Sequence, residues 1–358
     1  MTAEPLVEAR HVDMEFELAR QNGKRARLKV LRDISFEVNG GETLGLVGES
    51  GSGKSTVGRV LVGLHTPTGG QVKLFGKDIT GPERRVNLAA VRRRTQFVFQ
   101  DPHAALNPRM RVGDCIAEPI DVAGAHTRRD RAERVRELLA MVGLPRDAAD
   151  RYPHEFSGGQ RQRVVIARAL ALEPQFIVCD EPVSALDVSM QAQVVNLLMD
   201  LQARLGVSYL FIAHDLAVVR AISHRVAVIY AGAIVEIAPK DELYAEPRHP
   251  YTRALLDAAP RPDPARVRTP PIGGEVPSLL SPPPGCRFHT RCAFATDVCR
   301  TDDPALHVVG PNHQSACHHA EALPPADAAD AVAAATPVAA RRMALYAERR
   351  GKIAATAG

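Results

Sequence analysis

The stretch ETLGLVGESGSGKST, residues 42–56, decides the fold of this 358-residue chain. Its first part, Glu42 to Val47, is apolar enough for a buried strand, and the remainder matches the pattern G-x-x-x-x-G-K-[ST]. The glycines let the backbone curl so that its N–H groups, together with the start of a following helix, face a phosphate anion. The alternative is a glycine-rich turn with a solvated lysine, which the flanking strand and helical patterns disfavour.

Within this loop, Lys54 is expected to reach the β- and γ-phosphates, and the Ser55 hydroxyl is expected to bind Mg²⁺. The full set of residues expected to contact the nucleotide here comprises Gly48, Ser50, Gly51, Ser52, Gly53, Lys54, Ser55 and Thr56.

A second strand-like run, residues 176–179, is apolar and ends in two acids, Asp180 and Glu181. A buried strand that delivers two carboxylates at its C-terminal end suits a site for Mg²⁺ and water. Asp180 is expected to hold Mg²⁺ through its waters, and Glu181 to orient and activate the attacking water. Because many strands end in acids, this prediction depends on the phosphate-binding loop upstream.

The wider sequence predicts an α/β P-loop fold. Residues 1 to about 245 alternate strand-like and helical patterns, which is typical of a largely parallel sheet. No apolar run reaches the ~18 residues that span a bilayer, and the N-terminus does not resemble a signal peptide, so we expect a cytoplasmic protein. A net charge of only +4, no Trp and 4% aromatic residues argue against a nucleic-acid partner.

The segment FSGGQRQR, residues 156–163, narrows the class, because it resembles the signature motif of ABC ATPases. The resemblance implies that Ser157, Gly158, Gly159 and Gln160 present a helix N-terminus to the γ-phosphate of a nucleotide bound to another subunit. Ser157 is also suited to be an ordinary helix N-cap, and the two roles are compatible.

The other ABC motifs are present in family order along the chain. The resemblance covers about residues 5–320. Gln100 resembles the glutamine that contacts Mg²⁺ and water and senses the permease. Asp187, in the segment 184–187, resembles the loop that crosses the dimer interface. His214 resembles the switch histidine at the γ-phosphate, and Phe16 aligns with the aromatic that stacks on adenine, where Tyr is usual.

Three further segments point to a subfamily. QDPHAALNPRM (residues 100–110), HPYT (249–252) and GEVPS (274–278) are similar to the oligopeptide/dipeptide importer ATPases, and residues 45–50 and 54–59 are similar to their F-type members. The resemblance implies ATP-driven uptake of short peptides at the cytoplasmic face of the plasma membrane. The implied partners are a paralogous ATPase in a heterodimer, two permease subunits and an extracytoplasmic solute-binding protein, with a permease-contacting helical subdomain at about residues 101–170.

Alternatives remain open at this stage. Some relatives carry nickel or haem instead of peptides. A soluble ABC ATPase that works in translation or DNA repair is a different class, although such chains usually hold two cassettes or a long coiled coil. A nucleotide-binding regulator without turnover is disfavoured by the intact Glu181 and His214.

The C-terminal part is divided into a proline-rich connection with a cysteine-rich module, residues 246–320, and an alanine-rich tail predicted to be disordered, 321–358. The module's cysteines leave five, six and seventeen residues between neighbours: Cys286, Cys292, Cys299 and Cys317. Zinc sites usually show tighter pairs, and four thiolates can hold a [4Fe–4S] cluster. Residues 285–292 resemble the C-terminal extension of the oligopeptide ATPases, and this resemblance implies a [4Fe–4S] cluster for some members. Cluster, zinc and free thiols all remain open.

Overall fold

The strand that precedes the phosphate-binding loop lies inside an eight-stranded sheet. The computed structural model describes residues 4–18, 27–124, 128–258 and 277–324. The strands of this sheet are β3 (Thr43–Val47), β6 (Thr95–Val98), β7 (Phe176–Asp180), β8 (Ser208–Ala213), β9 (Arg225–Tyr230), β10 (Ala233–Pro239), β11 (His307–Gly310) and β12 (His313–Ser315). Their order across the sheet is β11-β12-β10-β9-β3-β8-β7-β6.

The centre of this sheet is parallel. β3 pairs with β8 and β9, and β7 pairs with β6 and β8, all in parallel register. Every residue of β3, β7 and β8 is buried, because both faces of the sheet are covered. Strands buried on both faces read as continuous apolar runs, which explains why these three were recognisable in the sequence.

A second, antiparallel sheet covers one side of the core. Its strands are β1 (Val7–Glu17), β2 (Arg27–Val38), β4 (Gly69–Leu74) and β5 (Lys77–Asp78), in the order β2-β1-β4-β5. Leu31 and Leu74 on this sheet share one hydrophobic cluster with Leu46 and Ile212 of the central sheet. Burial of such side chains contributes about 1.5–3 kcal/mol each.

The helices pack around both sheets and in a separate group between β6 and β7. They are α1 (Lys54–Leu61), α2 (Arg84–Val91), α3 (Pro102–Ala105), α4 (Val112–Ala123), α5 (Arg128–Met141), α6 (Gly158–Leu170), α7 (Val188–Leu205), α8 (Leu216–Ile222), α9 (Lys240–Ala245), α10 (Pro250–Ala258) and α11 (Asp297–Thr301). Helices α3 to α6 fall in the span 101–170 that the sequence predicts as a helical subdomain. None of the helices within the described ranges is long and apolar enough to cross a membrane.

The cysteine-containing segment continues the central sheet. β12 pairs with β10 across the sheet, with Ser315 opposite Glu236, and β11 pairs with β12. Glu236 is fully buried, and its carboxylate accepts hydrogen bonds from the backbone N–H groups of Arg248 and His249 and pairs with His313 Nε2 at 2.8 Å. The predicted boundary at residue 245 is therefore crossed by strand pairing. Residues 259–276 of the predicted connection and 325–358 of the predicted tail lie outside the described residues.

Candidate active site

The carboxyl ends of four parallel strands bring the predicted site residues to one edge of the central sheet. Lys54 follows β3, Gln100 follows β6, Asp180 and Glu181 close β7, and His214 follows β8. The crevice at this edge is where open α/β sheets bind ligands. The structure thus assembles side chains that are far apart in sequence.

The phosphate-binding loop has the curled backbone that its glycines allow. Gly51 and Gly53 have φ angles of 79° and 104°, a region that side-chain-bearing residues rarely adopt. Gly48 is needed for a different reason, since a Cβ there would lie 2.2 Å from the Ile229 carbonyl oxygen. The loop therefore rests directly on β9.

Lys54 is buried at the mouth of this loop. Its Nζ donates hydrogen bonds to the carbonyl oxygens of Gly48 at 2.8 Å and Glu49 at 2.9 Å. Burial lowers the pKa of Lys54, and the negative charges of Glu181, Asp180 and Glu49 oppose that shift. A cation held in this way is suited to bind phosphate oxygens.

Ser55 and Asp180 form an oxygen-rich pair beside Lys54. The Ser55 hydroxyl donates to Asp180 Oδ1 at 2.8 Å. Burial raises the pKa of Asp180, while the Ser55 hydrogen bond and the Arg59 charge act against that rise. Hydroxyl and carboxylate oxygens are the donors that Mg²⁺ prefers, so these two residues fit the magnesium ion that the nucleotide chemistry implies.

Glu181 is held between Gln100 and His214. Its Oε2 accepts a hydrogen bond from Gln100 Nε2 at 2.8 Å and lies 3.9 Å from His214 Nδ1. The Glu181 backbone has a φ of 45°, and such left-handed conformations cost about 1–3 kcal/mol and cluster at functional sites. The carboxylate, amide and imidazole can together orient a water molecule for attack.

The signature segment lies at the start of α6 with its own cap. The Ser157 side chain accepts from the Gln160 N–H at 3.3 Å, and Gln160 Oε1 accepts from the Ser157 N–H at 3.0 Å, forming a capping box. A surface cavity of about 400 Å³ is lined by Ser157, Gly159 and Gln160 and by none of the phosphate-loop residues. Within one chain, the cavity that this segment lines therefore does not include the phosphate loop.

Asp187 and Phe16, two residues predicted to contact nucleotide, contact other residues of their own chain in this structure. Asp187 caps α7, accepting from the Met190 N–H at 2.9 Å, a hydrogen bond that lowers its pKa together with one from the Ser189 hydroxyl. Phe16 lies half-buried on β1 with its ring edge-on to His65 at 5.4 Å. The interface role of Asp187 and the adenine contact of Phe16 stay predictions.

The four module cysteines all lie in the described part of the chain, and burial raises the pKa of Cys286 and of Cys317 to about 11, an effect to which the other thiolates add. The Phe294 N–H donates to Cys292 Sγ and the His319 N–H to Cys317 Sγ, each at 3.4 Å. Over residues 4–18, 27–124, 128–258 and 277–324, no three His, Cys, Asp or Glu side chains are grouped to hold a single metal ion. Neither the zinc interpretation nor the [4Fe–4S] interpretation gains support from this grouping of side chains.

The sequence analysis missed one set of residues at the phosphate loop. Arg291 of the cysteine module pairs with Glu49, and Tyr251 accepts a hydrogen bond from the Glu49 N–H at 2.8 Å. Tyr251 belongs to the HPYT segment, which the sequence marked only as a resemblance. Nothing in the local pattern around Arg291 indicates a partner 242 residues away.

The fold and this edge-of-sheet site define a P-loop ATPase of the ABC class, and comparison with known proteins places the chain within that class. The family model for the ABC transporter matches residues 31–184, and that for the oligopeptide/dipeptide transporter C-terminal region matches residues 235–299. The chain belongs to the ABC transporter ATP-binding family, in the branch that carries this C-terminal region, and it is an ATPase of that family.

Individual relatives agree with this assignment. A protein of Brucella abortus (strain 2308), named a peptide import ATP-binding protein, is 59% identical over 318 residues, covering 88% of this chain and 94% of its own length. A protein of Brucella ovis with the same kind of name is 52% identical, with 88% and 98% covered.

Solved structures of ABC cassettes share the fold. The dimeric cassette MJ0796 in a post-hydrolysis state with ADP and Pi is similar with a TM-score of 0.58 and 29% identity, covering 65% of this chain and 98% of that one. The cassette cbiO1 of Clostridium perfringens, part of the transporter complex cbiONQ, has a TM-score of 0.58 and 26% identity, covering 68% and 92%.

Proposed function

We propose that this chain is the ATP-hydrolysing subunit of an ABC importer that energises the uptake of short peptides through a separate membrane permease. The observation that carries the proposal is the presence, in one chain, of the ATPase site and of the C-terminal region typical of oligopeptide/dipeptide transporters. Relatives named as peptide import ATP-binding proteins support the same substrate class, since this chain aligns with them over nearly their whole length.

In this proposal Lys54 and the backbone N–H groups of the loop bind the phosphates, and Phe16 stacks on adenine. Ser55, Asp180 and Gln100 hold Mg²⁺, which supplies charge stabilisation at the transferred phosphoryl group. Glu181 accepts a proton from the attacking water, which Gln100 and His214 position through the contacts described above. The order of these residues along the sheet edge supports the assignment.

The complete site requires a second cassette. Ser157, Gly158, Gly159, Gln160 and Asp187 lie outside the phosphate-loop cluster of their own chain, so a partner's copy of these residues closes over the γ-phosphate. The helix N-terminus that Ser157 caps carries N–H groups and a partial positive charge suited to an anion. The partner in our proposal is a paralogous ATPase, and the similar MJ0796 cassette is dimeric.

The assembly then contains two permease subunits and an extracytoplasmic solute-binding protein, with this chain at the cytoplasmic face of the membrane. The helical region α3 to α6 lies next to Gln100 in the sequence and contacts the permease. ATP joins the two cassettes, and loss of the γ-phosphate releases them, which moves this region.

We also propose that the four module cysteines hold a [4Fe–4S] cluster. Two of the thiols accept backbone N–H donors from the residue two positions on, and such hydrogen bonds to sulfur tune iron–sulfur sites. The thiols of Cys286, Cys292 and Cys299 each add to the rise in the pKa of Cys317, which supports placing the four thiols in one neighbourhood.

The test of the proposed function is reconstitution of the four-subunit membrane complex in vesicles with ATP on the cassette side. Labelled di- and oligopeptides delivered by the binding protein should be taken up, and they should stimulate phosphate release. Lys54→Ala should abolish both activities. Uptake of nickel or haem in place of peptide would redirect the substrate class, and ATP hydrolysis by a chain that never copurifies with permease subunits would favour a non-transport ATPase.

A further inference from the structure

The cysteine module contacts the phosphate loop through a two-pronged ion pair. Arg291 Nη1 lies 2.8 Å from Glu49 Oε2, and Arg291 Nη2 lies 2.9 Å from Glu49 Oε1. The Arg291 side chain is only 3% exposed, and the Glu49 side chain 24%. Forked arginine–carboxylate pairs are geometrically specific as well as strong, so this contact fixes the position of Glu49, the residue next to Gly48 in the loop.

Aromatic side chains surround this ion pair and hold the same loop residue. The Tyr251 hydroxyl accepts from the Glu49 N–H at 2.8 Å, and the Arg291 Nη1 also lies 3.3 Å from the Tyr230 hydroxyl. Phe288 of the module packs against both Tyr230 and Tyr251, with ring centroids 5.2 and 5.4 Å apart. Glu49 is therefore held by its side chain and by its backbone at the same time.

The contact matters for the nucleotide because Glu49 also shapes the position of Lys54. The Glu49 carbonyl oxygen accepts a hydrogen bond from Lys54 Nζ at 2.9 Å, and the neighbouring Gly48 carbonyl accepts another at 2.8 Å. A shift of Glu49 would move the carbonyl that orients this cation and the N–H groups that follow it. Through its ion pair with Glu49, Arg291, which lies outside the cassette motifs, thus influences the binding geometry of the loop.

Arg291 is placed by the cysteines themselves. It ends a short 3₁₀ turn, His289–Arg291, that begins with a hydrogen bond from the His289 N–H to the Cys286 carbonyl at 3.0 Å. Cys292 follows Arg291 directly in the chain. The turn that presents Arg291 to the loop is therefore hydrogen-bonded to Cys286 at its start and followed directly by Cys292.

We propose that Arg291 is a positioning residue for ATP binding, through which the cysteine module holds the phosphate loop in its binding conformation. The proposal rests on the proposed function insofar as the ligand is ATP. It assigns the module a role in the nucleotide site of its own chain and makes ATP affinity dependent on the ordered state of the module.

The test is a double-mutant cycle in the full chain with Arg291→Gln, Glu49→Gln and the double variant. The measured quantities are the Kd for a fluorescent ATP analogue and the KM and kcat of phosphate release. Each single variant should raise Kd and KM about tenfold with kcat little changed, and the double variant should bind no more weakly than either single, because coupled residues are non-additive. Arg291→Lys, which keeps the charge without the fork, should fall between parent and Arg291→Gln.

The matched control is Arg287→Gln, which breaks the ion pair of Arg287 with Asp303 at 2.9 Å within the same module. Its Kd should equal that of the parent. Three results would overturn the proposal. Arg287→Gln could lose as much affinity as Arg291→Gln, or the effects of Arg291→Gln and Glu49→Gln on Kd could add in the double variant. The third is an Arg291→Gln variant whose Kd stays within twofold of the parent's. A parent chain that binds no ATP would instead contradict the proposed function, so the two failures are distinguishable.

Discussion

Glu181 has a strained backbone conformation, and its side chain contacts two polar residues. Its φ of 45° places it in the left-handed region, and its carboxylate meets the amide of Gln100 and the ring of His214. A strained backbone conformation persists only where surrounding contacts hold it in place. Here the turn after Glu181 holds it, since the Glu181 carbonyl accepts hydrogen bonds from both the N–H and the hydroxyl of Ser184.

Glu181→Gln tests whether this carboxylate activates water. The amide keeps the size of the side chain and can still accept from Gln100, so stability should change by less than about 1 kcal/mol. Phosphate release should fall at least about 100-fold because the proton acceptor is lost, whereas ATP should still bind and join two cassettes. Phosphate release and ATP-dependent dimer formation by light scattering measure both effects.

A control for the backbone strain is available in the same chain. Glu173 also has a positive φ, of 53°, but its exposed side chain pairs with Arg134 at 3.2 Å away from the site. Glu173→Gln should leave hydrolysis at the parental rate. Parental hydrolysis by Glu181→Gln would remove Glu181 from the role of base.

At the scale of single residues, the sequence predicted those site residues that a short motif specifies. Lys54 and Ser55 follow from the spacing within one loop, and Asp180 and Glu181 follow from one apolar run. The contact between Glu49 and Arg291 could not be predicted, because it joins two segments 242 residues apart and neither local motif specifies a partner for these two side chains.

At the scale of elements, α6 shows how one helix start serves two purposes. In the single chain, the Ser157 and Gln160 side chains satisfy each other's backbone N–H groups. The remaining N–H groups and the helix dipole make the same terminus attractive to an anion. The proposed contact with a partner's γ-phosphate uses this second property.

Ser157→Asp and Ser157→Asn separate the two purposes. Ser, Asn and Asp are about equally good N-caps, so both variants should unfold within about 1 kcal/mol of the parent. Only Asp adds a negative charge against the phosphate, so ATP-dependent dimer formation should weaken more than about tenfold in Ser157→Asp alone. Thermal unfolding and light scattering with ATP measure the two effects.

Two outcomes would contradict this role of α6. Equal dimer formation by Ser157→Asp and the parent would place the phosphate elsewhere. Equal loss in Ser157→Asn would show that the hydroxyl itself, and not the local charge, decides the contact.

The strands differ in how far the sequence could predict them. β3, β7 and β8 are buried on both faces and therefore appear as apolar runs. β12 has three residues and β11 four, with exposed positions in β11, so no run marks them. The pairing of β12 with β10, and through it the placement of β11, depends on tertiary contacts such as that of His313 with Glu236. Because the local sequence does not encode such contacts, the module looked separate in the sequence.

At the scale of the whole molecule, the cysteine module, the antiparallel sheet and the cassette core meet around the phosphate loop. The loop rests on β9 through Gly48 and is held by the module through Arg291. His249, on the same side, is completely buried, which lowers its pKa to about 3, and it packs against Phe288 of the module. The module is thus packed into the cassette and is in a position to influence it.

This arrangement predicts that removal of the proposed cluster weakens ATP binding. Full-length chain purified without oxygen should contain about four irons and show the broad visible absorption of an iron–sulfur centre. Chelation of the iron, or Cys292→Ala next to Arg291, should raise the Kd for ATP by about as much as Arg291→Gln, because the turn that carries Arg291 loses its anchor. Cys115→Ala, which alters a buried thiol in α4, should leave iron content and affinity unchanged. Chain with no iron would refute the cluster, and unchanged affinity after its removal would show that packing alone holds Arg291 in place.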